Sequence, residues 1–305
     1  MPYKGSKNGI AEKIIEYLPS ADTIVDLFAC GCSITHCALL SDKWKTVIAN
    51  DVNGYPNMFK ECLDGKWTSE THKEWVSRED FKANKETNDY IKYCWSFGNN
   101  GLDYLYSKGY PEEWCKALWY AVLHEDHFLT SVYDVDTTEL DDLPNASEKI
   151  AYFKKTILPR VAIKNGSHWI LNGDTLPYDG RLISLERLLR LEDLKSVECK
   201  AHLEVYQGDF EQVEIPDNAI IYCDIPYNNR RSECYERLDY NRFYKWAREQ
   251  DNIFISEYAM PDDFIQVTKF QHMVNCTNMG GSMETRERLF TNRKTAVKYN
   301  LHTKE

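Results

Sequence analysis

The chain has no run approaching the roughly 18 apolar residues that a membrane span needs. Its opening, Met-Pro-Tyr-Lys-Gly, has none of the apolar core of a signal peptide. These two absences lead us to expect a soluble, intracellular protein of the cytoplasm with no membrane partner. There is also no Cys-x-x-Cys pair in the one cysteine cluster, Cys30, Cys32 and Cys37. The ten cysteines are scattered, several of them in strand-like apolar segments, so they read as reduced thiols and no metal is expected. An excess of positive charge is missing too. With 48 Asp and Glu against 37 Lys and Arg the net charge is −11, which argues against a protein that coats nucleic acid nonspecifically. A local basic face built from Lys4, Lys7, Arg230, Arg231, Arg286, Arg288, Arg293 and Lys294 remains compatible with that balance, and solvated surface charge explains each of them equally well.

What is present is enough for two domains, or for one large domain carrying an insertion, in 305 residues. Residues 10–18 have helical apolar spacing and stop at Pro19; residues 23–28 read as a buried strand, followed by a small-residue turn and a helix over 35–40. Residues 46–51 form a second strand ending in an acid, which completes the start of a doubly wound α/β sheet. From 61 to 167 the chain turns aromatic and polar with helical spacing, which predicts an inserted, mainly helical subdomain between catalytic segments 1–60 and 168–305. Leucines recur every third residue from Leu185 to Leu194, a biased helix with solvated arginines. Strand alternation returns at 202–206 and 219–223. A helix near 243–248, a strand at 252–256 and an antiparallel hairpin of 287–290 with 295–299 are expected to close the sheet.

The chemistry concentrates at strand ends. Asp224-Ile225-Pro226-Tyr227 closes the apolar run 219–223, where open α/β sheets place ligands. An acceptor carboxylate, a proline-stiffened turn and an aromatic ring in succession suit a flat heterocycle carrying an amino group. Asp26-Leu27-Phe28-Ala29-Cys30-Gly31-Cys32-Ser33 puts small residues where a strand turns into a helix, so a ligand can approach backbone amides there. Asp51 is placed to accept from ribose hydroxyls of an adenosine-containing cofactor, and reads equally as an acid that simply ends a strand. The turn 96–101 reads as a loop turn or as a DNA-probing loop, Arg230 and Arg231 as phosphate contacts or surface charge, and His124, Asp126 and His127 as a helical patch rather than a metal site.

Taken in order, Tyr3-Lys4-Gly5-Ser6-Lys7, the 26–32 turn, Asn50-Asp51-Val52-Asn53, Gly208-Asp209-Phe210 and Asp224-Ile225-Pro226-Tyr227 resemble the Dam-like class of S-adenosylmethionine-dependent DNA N6-adenine methyltransferases, with wording closest to phage-borne members. The resemblance implies a Rossmann-like methyltransferase sheet, mostly parallel with one antiparallel strand, and an insert that serves as target-recognition domain. It implies that Tyr3, Lys7, Asp26, Phe28, Ala29, Cys30, Gly31 and Asp51 surround S-adenosylmethionine, with Asp209 on the cofactor's adenine amine and Phe210 beside its ring. Asp224 and the Ile225 carbonyl would accept from the amine of a flipped-out adenine in DNA, Pro226 would stiffen the turn, and Tyr227 would stack on the base. S-adenosylhomocysteine would be the product, no metal is needed, and a restriction partner is left open.

The chain departs from the family where Ile225 replaces a proline, and where Cys30 and Cys32 replace the two glycines flanking Gly31. If the cysteine positions need positive φ, each costs on the order of 1 kcal/mol. These departures keep alive a catalytically impaired DNA-binding relative as a rival. Methyl transfer to RNA, cytosine or a protein amide is another.

Overall fold

The computed structural model describes residues 7–66, 74–106, 108–166, 168–176, 198–226, 238–276 and 281–302. The chain divides into two compact units, one made of Tyr3–Lys60 with Glu198–Glu305, the other of Glu61–Val197. Among the described residues no helix is long and apolar enough to cross a membrane.

The first unit is built on a seven-stranded sheet. Its strands are β1 (Thr23–Asp26), β2 (Thr46–Asp51), β6 (His202–Gln207), β7 (Ile220–Asp224), β8 (Ile253–Glu257), β9 (Ile265–Cys276) and β10 (Gly281–Thr291), in the order β6-β2-β1-β7-β8-β10-β9. Pairing is parallel from β6 through β8 and antiparallel on both sides of β10. The central strands are near-continuous apolar runs because they are covered on both faces: Ile24, Val25, Val47, Ile220, Ile253 and Ile255 are all buried. Strand order reverses between β1 and β7, where Asp26 lies opposite Tyr222. Such a switch point opens a crevice at the carboxyl ends of both strands. This is the expected mostly parallel Rossmann-like sheet with one antiparallel strand.

The hairpin that completes the sheet is β9 with β10, and residues 295–299, expected as its second strand, lie in and just after helix Arg293–Lys298. Asn292 caps that helix: its side chain accepts from the Thr295 amide at 2.9 Å while its Nδ2 donates to the carbonyls of Ala247 and Gln250, 2.7 Å each. The N-cap turns the chain out of β10 after Thr291, and Val297 is left exposed on the helix surface.

The second unit contains helices Arg78–Asn84, Glu112–Leu123, Phe128–Tyr133 and Ala146–Tyr152 around an aromatic core in which the Trp95 and Trp119 rings are 4.8 Å apart. It also contains a three-stranded antiparallel sheet of β3 (Ile163–Asn165), β4 (His168–Leu171) and β5 (Asp174–Leu176). The expected boundary at 167 therefore falls inside this small sheet, and the compact unit continues to Val197. The segment with leucines at every third residue lies outside the described residues. In the 96–101 turn the asparagine side chains serve the turn itself: Asn99 donates to the Tyr93 carbonyl at 2.9 Å and Asn100 accepts from the Leu102 amide at 2.9 Å. That is the behaviour of a structural turn.

Candidate active site

The 26–33 turn is held shut by acids at the ends of two strands. Asp26, fully buried, accepts from the Thr35 amide at 3.0 Å and the Thr35 hydroxyl at 2.6 Å, tying β1 to the first turn of helix Ser33–Leu39. Asp51 accepts from the Cys30 amide at 2.9 Å with one oxygen and from the Asn53 amide at 2.9 Å with the other. Beside it, the buried Asn50 donates to the carbonyls of Leu27 and Gly208, 3.1 Å each, and so joins the ends of β1, β2 and β6.

Both cysteines of the turn adopt the left-handed conformation, Cys30 at φ 48° and Cys32 at φ 58°. The strain anticipated from the sequence is therefore present, at about 1–2 kcal/mol for each residue with a Cβ. Cys30→Gly is expected to raise stability by about 0.5–1 kcal/mol, the relief less the entropy that glycine loses on folding, read as a higher denaturant midpoint. Cys32→Gly should gain less, because its side chain is 1% exposed and its removal leaves a void. Burial, with the charges of Asp51 and Asp224, pushes the Cys30 thiol well up. That shift favours the neutral thiol over the thiolate.

Lys7, Asp26, Phe28, Ala29, Cys30, Gly31, Ser33, Ile34 and Asp224 line a concavity at the switch point. At its β7 side the Lys7 ammonium donates to Asp224 Oδ1 at 2.7 Å and lies 3.7 Å from Glu287 Oε1. Lys7 is 5% exposed, so it takes no part in the exposed basic face considered from the sequence. No described residue donates to Asp224 Oδ2. Burial works against the Lys7 charge, and Asp224 and Glu287 outweigh it and push Lys7 up. Burial also pushes Asp224 up, against the opposing pull of Lys7. Asp26 rises to about 7, chiefly by burial and with help from the Asp224 charge, while its bonds from Thr35 hold it down. Burial raises Asp51, opposed by the hydrogen bonds from Asn53 and Cys30.

Ile225 is 1% exposed and packs its side chain with Phe243, Ala247 and Ile255 in the core, leaving its backbone at the strand end. The Pro226 carbonyl accepts from the Tyr240 hydroxyl at 2.6 Å, which anchors the tetrapeptide to helix Tyr240–Glu249. Phe28 and Phe210 make an aromatic wall, with ring centroids 5.7 Å apart. Asp209 caps the short turn Phe210–Gln212 and makes a bidentate pair with Arg242 at 3.1 and 2.5 Å, whose guanidinium lies 4.9 Å from the Phe210 ring. Partial burial pushes Asp209 up, and its bonds from Arg242 and the Glu211 amide outweigh it and leave it below the usual range.

The described members of the sequence-derived set thus lie at the carboxyl ends of neighbouring strands, with Asp209 turned to Arg242. Tyr3, Lys4, Tyr227, Arg230 and Arg231 lie outside the described residues, as does the side chain of Arg286. Sequence reasoning named Asn50 in its motif without giving it a role, and missed Thr35, Arg242 and Glu287. Glu287 gave no signal of its own, being one acid among several polar residues of β10. Among the described residues no group of three or more His, Cys, Asp and Glu side chains is arranged to hold a metal ion.

No curated protein matches the chain. Residues 3–107, which include β1, the 26–33 turn and β2, match the family model of D12 class N6 adenine-specific DNA methyltransferases. That match, together with the switch-point crevice and the strand-end acids, makes the chain similar over residues 3–107 to the D12 class and supports an adenine-specific DNA methyltransferase.

Proposed function

We propose that the 26–33 turn, Asp51 and the Phe28–Phe210 wall hold S-adenosylmethionine, and that Asp224, Ile225, Pro226 and Tyr227 hold an adenine flipped out of DNA. The residues fit such a cofactor: Asp26 and Asp224 line the concavity, Asp51 holds the Cys30 amide of its wall, and Lys7 is the one cation among the described lining residues, which favours a ligand carrying positive charge. When bound, S-adenosylmethionine supplies an electrophilic methyl group on a sulfonium.

Asp51 offers its remaining lone pairs to the ribose hydroxyls, and Phe28 and Phe210 face the cofactor's adenine. Asp209 reaches the amine of that adenine only by giving up part of its pairing with Arg242. Tyr3 and Lys7 complete the cofactor's surroundings, Lys7 by holding Asp224. An adenine amine is a poor nucleophile because its lone pair is delocalised into the ring. Asp224 Oδ2 and the Ile225 carbonyl each accept one N–H and turn the lone pair out of conjugation, so orientation and preorganised acceptors supply the rate. Tyr227 stacks on the extruded base and offsets a few kcal/mol of unpairing. The inserted unit reads the target sequence, and the enzyme works in the cytoplasm, that of the host if phage-borne.

The observation that carries this reading is Asp224: one oxygen held by Lys7, the other without a donor among the described residues, beside the switch-point concavity. Calorimetry tests it. S-adenosylmethionine and S-adenosylhomocysteine should both bind at one site, and absence of binding to either at millimolar ligand would return the impaired DNA-binding relative as the better reading.

A further inference from the structure

Lys7 has a second carboxylate that none of the sequence motifs accounts for. Glu287 lies in β10, 1% exposed, with Oε1 3.7 Å from the Lys7 ammonium that also sits 2.7 Å from Asp224 Oδ1. Burying an acid inside a sheet is costly unless a cation compensates it. Here one ammonium serves two acids that reach it from different strands, β7 and β10.

The neighbouring groups are Tyr222 on β7, Asp26 at the end of β1, Cys30 in the turn and Glu257 at the end of β8. None of them brings a second cation. Burial pushes Glu257 up to about 7, against the Tyr258 amide and with the charges of Glu287 and Asp224 adding to it. Glu287, with Oε1 3.7 Å from the ammonium, is the second carboxylate facing Lys7. A carboxylate whose ammonium partner is its own is a weak acceptor for a further donor. An ammonium divided between two carboxylates neutralises each one incompletely.

We propose that Glu287 is a positioning residue of the methyl-transfer site: it shares Lys7 with Asp224, so that the ionised Asp224 is less fully neutralised and its Oδ2 is a stronger acceptor for the adenine amine. This rests on the reading of Asp224 as that acceptor. Removing the Glu287 charge takes one carboxylate from Lys7 and leaves the 2.7 Å pair with Asp224, which makes Asp224 easier to deprotonate and weaker as an acceptor. The acid limb of the rate profile then moves to lower pH while the plateau falls.

The test is single-turnover methyl transfer into DNA across pH for the wild type, Glu287→Gln, Glu287→Asp and Asp224→Asn, with S-adenosylmethionine affinity measured alongside. Glu287→Gln is expected to lower the plateau rate about tenfold, the size of one charge-assisted hydrogen bond. It should move the acid limb to lower pH and leave cofactor affinity within about threefold, a change of under 1 kcal/mol. Glu287→Asp keeps the charge one methylene further away and gives a smaller shift in the same direction, which decides the matter should the glutamine variant not fold. An unmoved acid limb in the folded Glu287 variants overturns the inference, whether or not the rate falls. Full activity in Asp224→Asn overturns the underlying reading of Asp224 instead.

Discussion

Asp224→Asn should lower turnover by about 10²- to 10³-fold, the usual loss when one preorganised acceptor or donor of a reacting group is removed. The substitution keeps the shape of the side chain. It replaces an acceptor by an amide that either turns a donor toward the adenine amine or turns one toward Lys7, and neither arrangement polarises the amine. There is a stability cost as well. Lys7 loses its 2.7 Å partner and keeps Glu287 at 3.7 Å, and breaking a buried ion pair from one side costs about 3–5 kcal/mol. A lowered melting temperature is therefore expected together with the lost rate. Cofactor binding by the folded variant separates the two effects: affinity retained with turnover lost places Asp224 on the target base, whereas loss of both in proportion would place it on the cofactor.

Asp51→Ala should weaken S-adenosylmethionine binding by about 2–3 kcal/mol, roughly 30- to 150-fold in Kd, from the loss of charge-assisted hydrogen bonds. Two causes act together. The variant removes the acceptor assigned to the ribose, and it releases the Cys30 and Asn53 amides that Asp51 now binds at 2.9 Å. Cys30 sits at positive φ, so a turn freed of that bond relaxes toward conformations that no longer present the concavity. Asp51→Asn should fall between, since its one carbonyl oxygen serves either amide but not both. Because burial raises Asp51, wild-type affinity is also expected to decline as the pH is lowered toward its protonation. Calorimetry of the three proteins checks this, and an unchanged Kd in Asp51→Ala would remove Asp51 from the cofactor site.

Much of the sheet was legible because its central strands are buried on both faces and write themselves as unbroken apolar runs, as at Ile24-Val25 and Ile220-Ile221. The acids at their ends were legible for the same reason, standing where the runs stop. Residues 295–299 misled because their spacing suits a strand, whereas Asn292 caps a helix there by accepting from the Thr295 amide and is itself held by bonds to Ala247 and Gln250, far off in sequence. The small sheet β3–β5 escaped notice because its strands are three or four residues long, too short for alternation to show. At the site, Asp209 fits its motif, and its pairing with Arg242 depends on a helix that the motif does not contain. Glu287 was invisible for a related reason: an acid in a strand acquires meaning only once Lys7, 280 residues earlier, is seen beside it.

The most direct measurement is nucleoside analysis of DNA incubated with the purified protein and S-adenosylmethionine labelled in its methyl group. The label should appear as N6-methyladenine, and RNA offered in competition should not displace it. Label on cytosine or preferentially in RNA, or none at all from a protein shown to bind the cofactor, would contradict the assignment of Asp224 and its neighbours to an adenine in DNA.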